Sequence, residues 1–507
     1  MNIKKLLLLF FYTITVCFLS GCAKDKFSSP DGGAGSGTTI SDFAIYTPNN
    51  EDMTHALLLA ANADKKTAWT YSLTEGIVLP ISTNQQTTLN HISCGRVGPL
   101  CVLVGHYINK LRTYPMIAVS SDRGNTWHYS VDENHNLPDL YNDKGSFYNV
   151  SCSSTGNVCV AAGDYYDGSA QYPMIAVSTN YGFTWSYTVD KMNGLPSPFS
   201  HGTFEQVKCN NTASLCVVVG HYNNGSALLP LLAVSTDKGE TWTYKIQSNG
   251  GLKLSKKGIN STAFYKIDCN DTGSVCIATG QYQTNINSKS KTYPMIAVSN
   301  DNGTNWTYTV NTNKSLPHNY VKNGLFQAGA TCNNLGSLCI TGGTYEDDTS
   351  SKPMIAISTD KGNTWKYSID SNKGPLPTSF SNIGTFNSVS CNDSGDDCVA
   401  VGQYKSSING NDIPMIAIST NRGVTWKYVV DASTGLPESF DNSPSGTSSG
   451  YFTSLNCNSS KNVCIAAGSY TTNSSNAFPM LAISTDGGKN WTYSLPSSES
   501  SKNLPAP

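Results

Sequence analysis

The chain has 507 residues, more than one compact core usually holds, so it is either several domains or a repeat array that grows by addition. Only 13% of the residues are charged, and Gly, Ser, Thr and Asn abound, a composition of exported all-β proteins rather than helical ones. The formal net charge of -2 gives no electrostatic case for nucleic acid as a partner.

Lys4 and Lys5 precede an apolar run from Leu6 to Leu19, and Ser20, Gly21 and Cys22 follow. A basic start, a short apolar core and small residues before a cut describe a signal peptide over 1–21. The run is shorter than the ~20 apolar residues that a membrane-spanning helix needs. Leu19-Ser20-Gly21-Cys22 resembles the lipobox of bacterial lipoproteins. The resemblance implies cleavage before Cys22, acylation of its thiol and a lipid anchor in a membrane. Ala23 and Lys24, with no Asp after the cysteine, imply the outer membrane by the same likeness, its periplasmic or surface side left open. Residues 22–40 hold this cysteine and a flexible linker, SSPDGGAGSGTT from Ser28 to Thr39.

From residue 41 to 495 one pattern recurs. The eight tryptophans are spaced 57 to 65 residues apart, and each is followed two residues later by Tyr. A near-constant period of this kind means a repeat architecture. Seven of the tryptophans close a box S-x-[DN]-x-G-x-[TN]-W: Asp122 with Trp127, Asn180 with Trp185, Asp237 with Trp242, Asp301 with Trp306, Asp360 with Trp365, Asn421 with Trp426 and Asp486 with Trp491. The eighth box, around Asp64 and Trp69, lacks both the Ser and the Gly. Ser and Asp or Asn bond backbone groups within a turn, and Gly permits positive φ there. An unalternating apolar run such as Pro414-Met415-Ile416-Ala417-Ile418 enters the box and reads as a strand buried on both faces. The exit, Trp426-Lys427-Tyr428, alternates, as an outer strand with one wet face does. The tryptophans are expected to wedge between neighbouring sheets.

Upstream of each of the seven boxes stands a C-x6-C pair: Cys94/Cys101, Cys152/Cys159, Cys209/Cys216, Cys269/Cys276, Cys332/Cys339, Cys391/Cys398 and Cys457/Cys464. Turn formers fill the gap and apolar β residues flank it, so the pair lies across a β-hairpin, within disulfide range. The rival reading, a metal site, wants C-x2-C spacing or a recurring His, and neither occurs. Cys17 belongs to the signal peptide.

Each repeat therefore holds four strands, A and B from the cysteine hairpin and C and D from the box hairpin. Such four-stranded sheets in series predict an all-β β-propeller. There are eight C–D hairpins and seven A–B hairpins, so eight blades are favoured, the first incomplete, with Ser41–Thr47 adding a strand to it; seven blades are the alternative. Residues 496–507 form a tail.

The A–B and C–D turns are uniform and share one face of such a propeller; the B–C and D–A connections vary and share the other, which is the expected working face. Strand B ends in G-x-Y in every repeat. The Tyr is expected to be structural. The middle residue changes, and His106, Asp164, His221, Gln281 and Gln403 are candidates to line a ligand pocket on that face, with Thr344 and Ser469 in the remaining repeats.

The box is similar to the Asp-box, or bacterial neuraminidase repeat, and the likeness runs from Ser41 to about Leu495. That family includes sialidases, other glycoside hydrolases, sortilin-type receptors and a photosystem assembly factor, so it implies a fold and not a function. A sialidase-like site needs three arginines around a carboxylate. Only four arginines exist here, and Arg96, Arg123 and Arg422 fall in the uniform turns, leaving Arg112 alone on the working face. A different glycosidase or a lyase needs suitably placed carboxylates, for which Asp164, Asp167, Glu346, Asp347 and Asp348 are the candidates. No zinc motif, phosphate loop or nucleophile elbow is present, so no metal, other cofactor or catalytic residue is assigned. The expected function is a non-catalytic envelope scaffold that binds a protein or glycan; the alternative is a glycoside hydrolase or lyase acting through loop carboxylates.

Overall fold

The computed structural model describes residues 87–494, short stretches within them excepted, and three strands before them at Thr39–Ile45, Leu57–Asn62 and Thr70–Tyr71. The signal peptide, Cys22, the linker up to residue 38, the degenerate box, Arg96, Arg123 and the tail lie outside the described residues. No helix among the described residues is long and apolar enough to cross a membrane.

Among the described residues every regular element is a strand, and seven four-strand units follow one another. The third shows the plan. Strand A is His201–Cys209, B is Cys216–Asn223, C is Leu228–Ser235 and D is Thr243–Ile246, antiparallel in that order. In the fifth unit one extra residue before Cys332 splits strand A into Lys322–Leu325 and Ala330–Cys332. Strand C of the sixth unit, Asp412–Ser419, is buried at every position but the first, because sheets pack on both its faces.

Cys209 lies opposite Cys216 and is bonded to it, with the Cα atoms 4.0 Å apart. The other pairs are disulfides of the same kind: Cys94–Cys101, Cys152–Cys159, Cys269–Cys276, Cys332–Cys339, Cys391–Cys398 and Cys457–Cys464. The C-x6-C spacing predicts these hairpin disulfides, and the structure adds where each half lies. The strand B member of every pair is buried: Cys101, Cys159, Cys216, Cys276, Cys339, Cys398 and Cys464. Strand B is covered by a sheet on each face, so its first residue is already interior. The strand A members Cys94, Cys152, Cys332, Cys391 and Cys457 are only half-buried, because strand A borders the axis. These seven strand B cysteines are therefore packing residues of the frame as well as cross-links.

The box is a turn and also a clamp between sheets. The Ser235 hydroxyl donates to Asp237 Oδ1 at 2.7 Å and accepts the Gly239 N–H at 2.8 Å. Asp237 Oδ1 accepts the Thr241 N–H at 3.0 Å. Gly239 has φ +89, and a Cβ there would lie 2.9 Å from Val177 of the preceding sheet. Trp242 then donates its indole N–H to Gly239 O and to Thr188 Oγ1 of that preceding sheet, both at 3.1 Å. Trp185 bonds Ser130, Trp365 bonds Thr309 and Trp426 bonds Ser368 in the same way.

The A strands of all seven units wall one common cavity, and strands B, C and D lie successively farther out. Sheets radiating from an axis in this way define a β-propeller. The strand predicted at 41–47 is found at Thr39–Ile45; it pairs with Leu57–Asn62, which pairs with Thr70–Tyr71, and it runs beside the first A strand, Thr87–Cys94.

Candidate functional site: the axial cavity

The cavity is shaped by a bulge that recurs in strand A. Register shifts fall between Leu89 and His91, Phe147 and Asn149, Phe204 and Gln206, Phe264 and Lys266, Phe386 and Ser388, and Phe452 and Ser454. One extra residue per strand is thereby left unpaired. The bulge accounts for the Gly of G-x-Y. A Cβ on Gly105, Gly163, Gly220 or Gly402 would stand 2.0–2.1 Å from a carbonyl oxygen of the bulged strand. The Tyr of the motif is buried, and its hydroxyl holds the D–A loop: Tyr107 accepts the Glu133 N–H at 2.8 Å, Tyr165 the Lys191 N–H at 3.0 Å and Tyr404 the Ala432 N–H at 2.8 Å.

The cavity encloses about 420 Å³ and runs from the bulges to the strand A cysteines and the A–B turns. Its wall is polar for a structural reason. The A strands are inner edges, so their outward backbone groups need partners. Side chains of one sheet supply them to the next: Asn149 Oδ1 accepts the Val207 N–H at 3.2 Å, Gln206 Oε1 the Ile267 N–H at 2.8 Å and Ser151 Oγ the Cys209 N–H at 3.0 Å. The A–B turns are joined too, with Ser154 N–H donating to Asn211 O at 2.7 Å and Asn211 N–H to Asp271 O at 3.1 Å. The mouth is therefore a bonded rim.

The charged groups gather on one side. Lys208 Nζ is 2.8 Å from Asp268. Burial pushes the Glu205 carboxyl up to about 7; the nearby Asp164 adds to the rise and Lys266 opposes it. Burial also raises Asp164, although Thr203, Tyr148 and Gln171 hydrogen-bond to it. His221 Nδ1 is 3.6 Å from Glu205 Oε1, but burial and the nearby His201 hold the imidazole below its usual pKa. Near neutrality the contact therefore joins a largely uncharged ring to a half-ionised acid, which falls short of a full ion pair.

Because the folded pKa of Glu205 is raised, its contribution to stability is complete below the usual glutamate value of 4.5 and is lost as pH rises through about 7. The melting temperature should fall over that window, and Glu205→Gln should remove part of the fall. Parallel pH profiles for the two proteins would refute the raised pKa.

The G-x-Y candidates stand one layer behind this wall. His106 Nδ1 is 3.0 Å from Ser146 Oγ, and burial lowers its pKa to about 4. Gln281 donates to the Tyr265 hydroxyl at 3.1 Å, and Gln403 Oε1 accepts from Asn387 at 3.0 Å. Asp164 and His221 are brought together beside Glu205. Strand B is the second strand out, so its side chains point between sheets; only strand A borders the axis. The residues facing the cavity, among them Asn90, Tyr148, Glu205, Asn387 and Thr453 at the bulges, are not among the candidates that the sequence motifs single out. Their signal was the changing residue after Leu or Phe in [LF]-x-x-[VIL]-x-C.

The loop face is more ordered than its variable lengths implied. Five D–A loops share L-P-x-x-[YF], ending at Tyr141, Phe199, Tyr320, Phe380 and Phe440. Four of these rings pack on other aromatics there, Tyr141 on Tyr114 at 5.5 Å, Phe199 on Tyr222 at 6.0 Å, Tyr320 on Tyr293 at 5.3 Å and Phe380 on Tyr404 at 6.1 Å between centroids. Loop carboxylates are engaged as well: Asp167 with Lys191, Glu346 with Lys322 and Asn323, and Asp347 with Thr349 and Ser350. Arg112 is exposed.

No family model matches the chain, and no curated protein matches it. Solved structures similar to it include glycoside hydrolases and polysaccharide lyases. The GH74 enzyme of Niastella koreensis is 11% identical with a TM-score of 0.40, over 90% of this chain and 78% of that one. A PL25 ulvan lyase is 11% identical with a TM-score of 0.46, over 80% and 94%. Sqt1 from Chaetomium thermophilum is 8% identical with a TM-score of 0.44, over 79% and 82%. Likeness at this level assigns neither a family nor an activity.

Proposed function

We propose that this chain is an exported Asp-box β-propeller that binds a polar ligand, a glycan or a protein segment, in its axial cavity without transforming it. The observation that carries the reading is the contrast between frame and wall. Boxes, disulfides, glycines and tyrosines repeat from sheet to sheet, while the polar residues bordering the cavity differ in each. A scaffold alone has no need for such differences. The seven disulfides point to an oxidising, extracytoplasmic compartment. In the same reading 1–21 is removed, Cys22 carries the lipid at the outer membrane, 22–40 is the linker, and 41–495 forms the propeller, its three-stranded N-terminal sheet serving as an eighth, incomplete blade.

A hydrolase or lyase is the second reading. It is favoured by Glu205, a cavity carboxyl whose pKa near 7 suits proton transfer. Incubating the oxidised chain with an array of glycans separates the two. Retention of one sugar class without product supports the binding module, and release of shortened or unsaturated products supports the enzyme. A blank from folded protein removes glycan from the first reading and leaves a protein partner.

A further inference from the structure

We propose that the axial cavity takes the end of an uncharged saccharide chain, entering along the axis through the rim of disulfide-hairpin turns. This deepens the binding reading above and rests on it. It places recognition at the A–B turn end of the axis, opposite the variable loops.

The first argument is the state of the wall amides. Four of them, Asn90, Asn149, Gln206 and Asn387, are fixed by one half and have the other half without a partner among the described residues. Asn149 and Gln206 spend their carbonyl oxygens on Val207 and Ile267, which leaves two NH2 donors. Asn90 and Asn387 spend their NH2 groups on Phe147 O and Phe452 O, both at 2.7 Å, which leaves two carbonyl acceptors. Donors and acceptors held in place without rotamer freedom suit a group that both donates and accepts, and a sugar hydroxyl is such a group.

The second argument is charge. An ionic ligand is favoured by a wall in which one sign of charge prevails. Here Lys208 pairs with Asp268, and the charge of Lys266 is opposed by the nearby Glu205, so neither sign prevails and recognition falls to hydrogen bonding.

The third argument is enclosure. Strands from all seven units surround the space, so a polymer cannot lie across it, and only a chain terminus or a short oligomer can enter. The volume of about 420 Å³ is within the roughly 300–1,000 Å³ of small-ligand sites.

The experiment is calorimetry on the full oxidised protein with neutral gluco-, manno- and galacto-oligosaccharides. Each is offered free-ended and with bulky groups blocking both ends. Two variants go with it. Gln206→Glu keeps the oxygen that accepts from Ile267 but removes the spare donor, and Ser388→Trp fills the cavity. The expected result is binding of a free-ended oligosaccharide, weakened about tenfold by Gln206→Glu and abolished by Ser388→Trp and by end-blocking. If Ser388→Trp fails to fold, Gln206→Glu and end-blocking still decide. Binding that survives the variants, or that is equal for blocked chains, overturns the axial end-on site and leaves glycan binding standing. No binding by folded protein overturns both.

Discussion

Gly220→Ala is expected to destabilise the propeller by more than about 3 kcal/mol. A Cβ at this position would lie 2.1 Å from Thr203 O and 2.9 Å from Phe204 Cα. Both atoms are backbone of the bulged A strand, so no rotamer change relieves the contact. Gly220 is not among the residues with positive φ, so conformational strain is not the cause; the cost is collision alone. Relief would require the A strand to move towards the axis and pull its side chain bonds from the neighbouring sheets. Gly225→Ala is the control. It has φ +93 and nothing within 4 Å, so only the left-handed backbone penalises the change, by about 1 kcal/mol. Urea unfolding of the two variants tests this, and equal losses would dismiss the bulge as the reason for the glycine.

Full reduction of the seven disulfides should have the other large effect. Each closes a short hairpin loop and contributes at most about 2.5 kcal/mol in the chain-entropy account. The bonds sit at the ends of the A strands, which have a sheet partner on one side only, and they secure the rim of the cavity. Each also has its strand B sulfur in the interior, Cys276 and Cys398 for example, so reduction unseats packed residues as well as opening loops. Their loss is therefore expected at every unit together, with unfolding at 37 °C under reductant and cooperative refolding on reoxidation. Non-reducing peptide maps should pair neighbours only, Cys209 with Cys216 for instance, as the opposed registers require. A stable reduced form, or a bond between repeats, would refute this assignment.

Much of the frame was legible because its contacts are local. The box bonds its own Ser, Asp and Gly within eight residues, and the C-x6-C hairpins close on themselves, so spacing alone specified both. Spacing did not show that the strand B half of each bridge is interior, because the sheets that cover it come from other repeats. The buried C strands showed as unalternating apolar runs. The site was less legible. G-x-Y is a repeat with a changing centre, which points to His106, Asp164, His221, Gln281 and Gln403, but strand B lies behind the wall. Glu205 and Gln206 stand in none of the motifs that mark the candidates.

Composition, period and spacing thus determined an all-β repeat chain with cysteine hairpins and box turns, since each of these is settled within a few residues of the chain. Tertiary structure alone decided which side chains border the axis, why the strand B glycine is required, and that the cavity runs to the disulfide rim. Those depend on a bulge in one strand pressing on the next, and on A strands a whole repeat apart exchanging hydrogen bonds, for example Asn149 with Val207. Neither has a signature in any single stretch of sequence, because packing between sheets decides them.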